Sequence, residues 1–423
     1  MSQPRSTAVD LDTPLRRLIQ DRGVAAHFQP IFSARQKAVV GVEALARGVR
    51  ADGSLVPPHH LFKMAAEEGL STVVEGLCRE AAVETFTRLD ARPDELLLFL
   101  NLDVNLDLAG PERPESLPEE LEGLVARRGV APTSVAVEFL EARLDDVARF
   151  ASLAAALRAR GFLVVLDDVG AGHSNLDRIP LFQPDIIKID RSLITGVDAD
   201  YYKQETLKSL VGLSRRIGAL VVAEGIETQG EAIAALELGV DLLQGFYLSR
   251  PQPVSSFAGG GLARASGEVE LLARKFKSHM VGAINGRKLQ HRRFNVILNR
   301  ILCDLGNTDA AAFDEILGRI IPEYPTVECI YVLDDAGVQV TETVWNGAPL
   351  PSQPGSALFR PAPRGTDHSL KEYYYVPLDV ELQKYTTDPY VSLASGNLCR
   401  TISTCFRDAA NDALYVLCVD VRP

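Results

Sequence analysis

The sequence predicts an α/β protein, a modified TIM (β/α)8 barrel with one antiparallel strand, followed by a helical connector and an α+β module. Three observations lead there. Between Ala25 and Leu248 eight short apolar, β-branched runs alternate with longer segments of helical periodicity. Most of those runs end on an acidic or amide side chain. After Pro253 a Ser-Ser-Phe-Ala-Gly-Gly-Gly stretch follows within two residues, and beyond it the pattern changes.

Size and composition are compatible with this reading. The 423 residues, 46% hydrophobic and 24% charged, allow two to four folding units with a sizeable core. They exclude a disulfide-dense mini-protein, and the spread of Gly and Pro along the chain argues against disorder. No apolar run approaches the ~18–20 residues of a membrane span. Met1 to Pro14 lacks a hydrophobic signal region, so a cytoplasmic protein without a membrane span is expected. The cysteines (Cys78, Cys303, Cys329, Cys399, Cys405, Cys418) show no Cys-x-x-Cys spacing, which favours reduced thiols over a zinc site. A formal charge of −12 argues against a nucleic-acid polymer as partner.

The elements follow in chain order. Residues 1–15 form a polar, flexible N-terminus. The strand runs are Ala26–Phe32, Val39–Leu45, Leu96–Leu102, Val135–Leu140, Leu163–Asp167, Ile186–Ile189, Leu220–Ala223 and Leu242–Leu248. Helix spacing occupies Pro58–Glu68, Glu75–Thr87, Asp145–Ala159, Glu205–Arg215 and Glu231–Leu238. The link Ser33–Ala38 is too short for a crossover helix, so the first two strands should pair antiparallel. The barrel domain spans residues 16–255 and a linker with connector helices spans 256–305. Within the connector, Glu268 to about Leu305 reads as one or two helices, locally basic, either a nucleic-acid or phospholipid contact or the solvated face of a signalling or dimer helix. The last domain, 306–423, contains a short helix (Ala310–Ile320) and strands at Val327–Leu333, Gln339–Val344, Tyr373–Leu378, Leu398–Phe406 and Leu414–Val419. Hairpin-like connections make its sheet antiparallel.

The acidic strand ends carry the functional argument. Glu43, Asn101, Glu138, Asp167 with Asp168, and Glu224 each close an apolar run, and Lys188 lies within Ile186–Ile189. In a parallel barrel the C-terminal strand ends converge on one mouth, so these side chains should meet. Carboxylates held a few ångströms apart repel and raise one another's pKa values, a conflict that divalent cations remove. An oxygen-rich set without cysteine or histidine suits Mg2+ or Mn2+ better than Zn2+. Paired metals can activate a bridging water for in-line phosphoryl displacement, with Lys188 neutralising phosphate charge or orienting water. From barrel chemistry alone an enolase-type Mg2+ lyase is a further reading, but only about 20 residues precede the first strand, too few for a capping domain.

Ordered motifs then point to a family. They are Phe28-Gln29-Pro30-Ile31, Glu43-Ala44-Leu45-Ala46-Arg47, Asn101-Leu102, Glu138-Phe139-Leu140-Glu141, Asp167-Asp168-Val169-Gly170-Ala171-Gly172-His173-Ser174, Lys188-Ile189-Asp190-Arg191, Ala223-Glu224-Gly225-Ile226-Glu227 and Gln244-Gly245. In this order, over about residues 15–255, they resemble the EAL-domain cyclic di-GMP phosphodiesterases. The resemblance implies hydrolysis of cyclic di-GMP to linear pGpG with two divalent cations, Mg2+ or Mn2+, in a protein that forms a homodimer. It implies that Glu43, Asn101, Glu138 and Asp167 hold one metal, and that Asp167 bridges to a second held by Asp168 and Glu224. Lys188 would position water, and Glu224 is the candidate general base. Gln29, Leu45, Arg47 and Gln244 would line the substrate, and Glu141 would anchor the loop after Asp168. The family usually has Phe, Thr and Tyr where this chain has Val169, Ala171 and His173, and Thr where it has Leu140. These departures leave a second reading, a catalytically weak or inactive cyclic di-GMP receptor. His173 is an extra ligand or base, or a packing residue.

The segment Tyr390 to Ser403 resembles part of the Cache sensor domains, which share the PAS-like sheet. This implies a PAS/Cache-like sensory domain with an unknown small ligand, for which Tyr373, Tyr374, Tyr375 and Asp388 are candidates alongside a plain sheet role. Cys399 and Cys405 share a strand face by parity, as core or as a thiol sensor.

Overall fold

The computed structural model describes residues 13–89, 96–102, 116–140, 147–171, 176, 178–346, 361–379, 384–392 and 395–422. The chain divides into two compact units, Met1–Val281 and Gly282–Pro423.

The first unit is an eight-stranded barrel. Its strands are β1 (Val24–Ser33), β2 (Ala38–Val49), β3 (Leu97–Leu102), β4 (Val135–Leu140), β5 (Leu163–Val169), β6 (Ile186–Ile189), β7 (Leu220–Ala223) and β8 (Leu242–Leu243). β1 pairs antiparallel with β2 and with β8, and the pairs from β2 through β8 are parallel, so the sheet closes. The short β1–β2 link has the antiparallel consequence expected of it. Helices including Pro58–Glu67, Ser71–Thr87, Val147–Ala159, Tyr201–Ile217 and Gln229–Glu237 stand between successive strands. Leucine, valine and phenylalanine from strands and helices form the shared outer core.

The barrel interior decides where the site lies. One layer is filled by Ile31, Phe99, Ala136, Val165, Ile186, Val222 and Leu242, one residue from each strand except β2. β2 contributes Gly41, opposite Ile31. A Cβ there would come within 2.6 Å of the Phe99 ring, so glycine makes room for the phenyl group. Strand side chains alternate faces, so the next inward layer is two residues further along. In the parallel strands that layer holds Glu43, Asn101, Glu138, Asp167, Lys188, Glu224 and Gln244. In β1, which runs the other way, it holds Gln29, whose partner in register is Glu43.

Acids before the strands have a different job. Asp185 accepts the Val164 amide at 2.8 Å and Asp241 accepts the Val221 amide at 2.9 Å, which ties the start of one strand to the connection entering the next. Thr228 and Glu231 form a capping box at the start of helix Gln229–Glu237. Glu231 also accepts the amides of Gly196 and Glu227, which pins the segment that follows Glu224.

One expectation needs correction here. The run Leu242–Leu248 is extended only over Leu242–Leu243. Gln244 and Gly245 then turn against Ile226, whose amide donates to the Gln244 carbonyl at 3.1 Å. The connector is one helix, Gly261–Gly306. Gly282 and Gly286 have open space around them, so they weaken helix propensity without forcing a break.

The second unit is a six-stranded antiparallel sheet of β9 (Val327–Leu333), β10 (Val344–Trp345), β11 (Tyr385–Thr386), β12 (Tyr390–Val391), β13 (Leu398–Arg407) and β14 (Leu414–Val421). Its order is β10-β9-β14-β13-β11, with β12 on β13. One face packs Ile330, Val332, Ile402, Leu417 and Val419 against Leu298, Ile301 and Leu305 of the long helix and against helix Phe313–Ile320. The other face packs Cys329, Tyr331, Leu333, Val416 and Cys418 under Tyr374, with Cys405 at its margin, while Cys399 is buried nearby. Tyr373–Leu378, expected as a strand, lies in helix Glu372–Asp379. Of Gln339–Val344, only Val344 lies in a strand; Gln339 makes an isolated antiparallel bridge to Leu333, and its carboxamide donates to the Thr341 carbonyl and the Thr343 hydroxyl. Among the described residues no helix is long and apolar enough to cross a membrane.

Gly245 links fold and site. A Cβ there would come within 2.1 Å of the Ile226 carbonyl oxygen and 2.3 Å of its nitrogen, both backbone atoms. Gly245→Ala is expected to lower unfolding free energy by about 1–3 kcal/mol, read by urea denaturation.

Candidate functional site

The second inward layer converges on one atom. Lys188 Nζ lies 2.6 Å from Glu224, 2.7 Å from Glu138, 3.2 Å from Glu43 and 3.5 Å from Asp167. Lys188 is 1% exposed and Glu138 is fully buried, so this is an interior charge cluster. Glu43 also accepts from the Gln244 amide at 2.6 Å and the Asn101 amide at 3.1 Å. Gln244 bridges to Gln29 at 3.3 Å, and Gln29 donates to the Ser249 carbonyl at 3.1 Å. Thus Gln29, Glu43, Asn101, Glu138, Asp167, Lys188, Glu224 and Gln244, drawn from separate motifs, meet.

Asp168 reaches the same place by a backbone device. The β5–β6 register shifts between Leu166 and Val169, a bulge, and Asp168 has a left-handed φ of 58°. Two consecutive side chains of a regular strand point to opposite faces, whereas here oxygens of Asp167, Asp168 and Glu224 lie within 4.8 Å of one another. The Asp168 amide donates to Asp167 Oδ1 at 3.0 Å, which fixes the first carboxylate beside the second.

Burial opposes ionisation of every acid in the cluster. For Glu138 and Glu224 burial prevails and the carboxyls lie well above the usual range despite Lys188. Asp167 is raised for the same reason, with repulsion from Glu43 added. Asp168 is pushed up to about 6 by burial and then by Asp167. Glu43 alone is held low, because Lys188, Gln244 and Asn101 together outweigh its burial. Burial would lower the Lys188 pKa, but the four surrounding carboxylates reverse this and hold the ammonium protonated.

The donor set fits divalent cations. Fully ionised, the four carboxylates on Lys188 and the neighbouring Asp168 would leave four uncompensated negative charges, which two divalent ions would neutralise, and an all-oxygen set is what Mg2+ and Mn2+ take.

The other candidates are more peripheral. Leu45 lines a cavity of about 660 Å³ that also includes Glu43 and Asn101. Arg47 is half-buried and donates to the Ala46 carbonyl at 2.8 Å. Glu141 and His173 lie outside the described residues. One feature escaped the motif reading: Glu75 and Arg79, an ion pair at 3.4 Å on helix Ser71–Thr87, line the same cavity. The available signal was an acid one turn before an arginine, on a helix whose neighbouring positions Val74 and Ala82 are core.

With this geometry in place, comparison with known proteins is decisive. The EAL domain family matches residues 13–251, more than half of the chain. The chain belongs to the EAL domain family. YkuI of Bacillus subtilis, an uncharacterized EAL-domain containing protein, is 27% identical over 399 residues, covering 92% of this chain and 93% of YkuI. The YkuI crystal structure, described as a complex with substrate c-di-GMP and calcium, matches with a TM-score of 0.78 at 25% identity, covering 97% of this chain and 99% of that one. PdeB of Escherichia coli, a probable cyclic di-GMP phosphodiesterase, is 30% identical over 251 residues, 58% of this chain and 47% of PdeB. The chain therefore spans about half the length of PdeB. The manganese and cyclic di-GMP complex of BlrP1 from Klebsiella pneumoniae matches at a TM-score of 0.50 and 28% identity, covering 55% of this chain and 56% of BlrP1. YkuI is similar along both units of this EAL protein, whereas PdeB and BlrP1 are similar over little more than half of it.

The charge cluster predicts a pH-dependent cost for losing Lys188. In divalent-free buffer Lys188→Met is expected to lower stability by about 3–5 kcal/mol at pH 8. The ammonium is protonated in both folded and unfolded chains between pH 5 and 8, so the pH dependence comes from the carboxyls. Their raised folded pKa values make ionisation unfavourable in the fold as pH rises, and more so without Lys188. The deficit should therefore shrink at pH 5. Urea unfolding at the two pH values checks this, and an equal deficit at both would contradict it.

Proposed function

We propose that this protein hydrolyses cyclic di-GMP to linear pGpG at the mouth of the barrel, using two divalent cations, Mg2+ or Mn2+. The observation that supports this most is the cluster of four carboxylates on Lys188, beside which the bulge turns Asp168 to the same side as Asp167 and Glu224. On this reading Glu43, Asn101, Glu138 and Asp167 hold one cation, and Asp167, Asp168 and Glu224 hold the other. When bound, such ions supply an activated water and charge neutralisation at the phosphate.

The chain's own groups have separable tasks. Lys188 keeps its proton, so it acts as a donor that orients water or a phosphate oxygen rather than as a base. Glu224, 2.6 Å from the Lys188 ammonium, is the carboxylate that takes a proton from water as the water oxygen attacks phosphorus. The bond from phosphorus to the ribose 3′ oxygen then breaks, leaving a 5′ phosphate and a 3′ hydroxyl. Gln244 and Gln29 hold Glu43 in place, and Leu45 and Arg47 face the dinucleotide.

The domain roles follow the same proposal. Residues 16–255 carry catalysis, 256–305 connect, and 306–423 form a PAS/Cache-like sensory module that binds a small ligand, supports a homodimer and sets the rate. The similarity to YkuI along 97% of the chain favours keeping the two units together in that scheme.

Incubating the full chain with cyclic di-GMP and Mg2+ or Mn2+ and following pGpG by chromatography tests the proposal. Turnover is expected, and Glu43→Ala and Asp167→Asn should each lower kcat by more than about a hundredfold. Wild-type rates in either variant would refute the ligand assignment. Binding without turnover, even at high Mn2+ and protein concentration, would make the protein a receptor, the reading that Val169 and Ala171 favour.

A further inference from the structure

The part of the long helix that belongs to the second unit, residues 282–306, has two unlike faces. On one, Leu298, Ile301 and Leu305 are at most 4% exposed and pack against the sheet of that unit. The other turns to solvent. It carries Lys288, Leu289, Arg292, Arg293, Val296 and Arg300, all exposed, with Leu289 at 54% and Val296 at 71%.

Helical spacing gathers these six side chains. Lys288, Arg292, Val296 and Arg300 form one row four residues apart, and Leu289 and Arg293 form a second row beside it. The outward face of a surface helix is ordinarily polar and mixed in charge. This one is neither, because two large apolar side chains stand among its cations and the chain from Leu271 to Cys303 has eight Lys or Arg and no Asp or Glu. Arg300 is paired, with Asp304 at 3.6 Å, whereas among the described residues Lys288, Arg292 and Arg293 have no ion-pair partner. A further cation flanks the face, where Lys384 donates to Asn295 Oδ1 and lies 3.3 Å from His291 Nε2.

We propose that this face docks on an anionic phospholipid surface, with the helix lying along it. The inference is independent of the cyclic di-GMP reading.

The combination of groups selects lipid over other anions. Anionic headgroups offer a continuous negative surface, and each Lys or Arg held close to one tightens binding about fivefold. Leu289 and Val296 then reach past the headgroups to the acyl boundary, where their apolar area leaves water. The stems of the flanking Lys and Arg side chains lie along the same boundary while their charged heads stay at the level of the phosphates. Nucleic-acid phosphates would satisfy the cations and leave both apolar side chains in water. A second copy applied face to face would bring Lys288, Arg292 and Arg293 against like charges, which opposes association. The helix is already fixed by the core on its other side, so docking does not have to order it. Two apolar side chains and a few cations bury far less than a spanning helix does, which makes the contact peripheral and reversible.

Sedimentation of the full chain with vesicles tests this. Vesicles of phosphatidylcholine alone are compared with vesicles that contain about 30% phosphatidylglycerol. The wild type should partition at least about tenfold more strongly onto the anionic vesicles, and about tenfold less strongly there when salt rises from about 0.1 to 0.5 M. Arg292→Glu combined with Arg293→Glu should lower anionic partitioning at least about tenfold, and Val296→Ser about threefold or more. Arg292→Lys combined with Arg293→Lys should retain it. All three positions are exposed, so the variants should unfold in urea as the wild type does. Equal partitioning onto both kinds of vesicle, or onto neither, overturns the proposal, as does wild-type partitioning of the glutamate variant or of Val296→Ser. If the glutamate variant loses affinity for duplex DNA and keeps its vesicle partitioning, the face belongs to nucleic acid and the proposal fails. Light scattering of the lipid-free protein should give one mass for the wild type and the glutamate variant; a lower mass in the variant would assign the face to a second copy instead.

Discussion

A single buried ammonium surrounded by four carboxylates is the constraint on which the rest of the first unit depends. Lys188 can be charged in the interior only because Glu43, Glu138, Asp167 and Glu224 surround it, and those acids can be buried only because it is there. Removing one member of such a set leaves an uncompensated charge away from water, which is costly. The barrel must therefore deliver each strand at one height. It does so through the apolar layer below, in which Phe99 occupies the space that Gly41 vacates.

The same barrel separates stabilising acids from chemical ones by their position along the strands. Asp185 and Asp241 precede their strands and accept backbone amides, so their charge is satisfied by the fold itself. Glu138, Asp167 and Glu224 sit towards the opposite end, where the charge near them comes mainly from one lysine. On the proposed reading the excess of negative charge draws cations, and the left-handed residue Asp168 is the local strain accepted to enlarge it. Of the −12 formal charge, −10 lies in the first 255 residues.

The sequence made the barrel legible because β-branched runs and helical segments alternate in it, and it made most of the site legible because each run ends on its functional side chain. Less legible was anything set by tertiary contact. Leu242–Leu248 reads as one strand, yet Gly245 must turn where Ile226 leaves no room for a side chain. The Tyr373-Tyr374-Tyr375 run has high strand propensity, but His368 bonds to the Tyr373 hydroxyl and Tyr374 buries itself over the Cys329 face, so it folds as helix. Glu75 belongs to no motif, and its place on a cavity wall is something that spacing alone does not reveal.

Metal stoichiometry tests the central claim most directly. Manganese binding to the full chain in the presence of cyclic di-GMP can be counted by equilibrium dialysis and its coupling read by electron paramagnetic resonance. The charge balance of four carboxylates on one ammonium, with Asp168 beside them, predicts two Mn2+ per chain, close enough to couple magnetically, and loss of one or both in Asp167→Asn. Binding of no manganese, or of one uncoupled ion, would contradict the account.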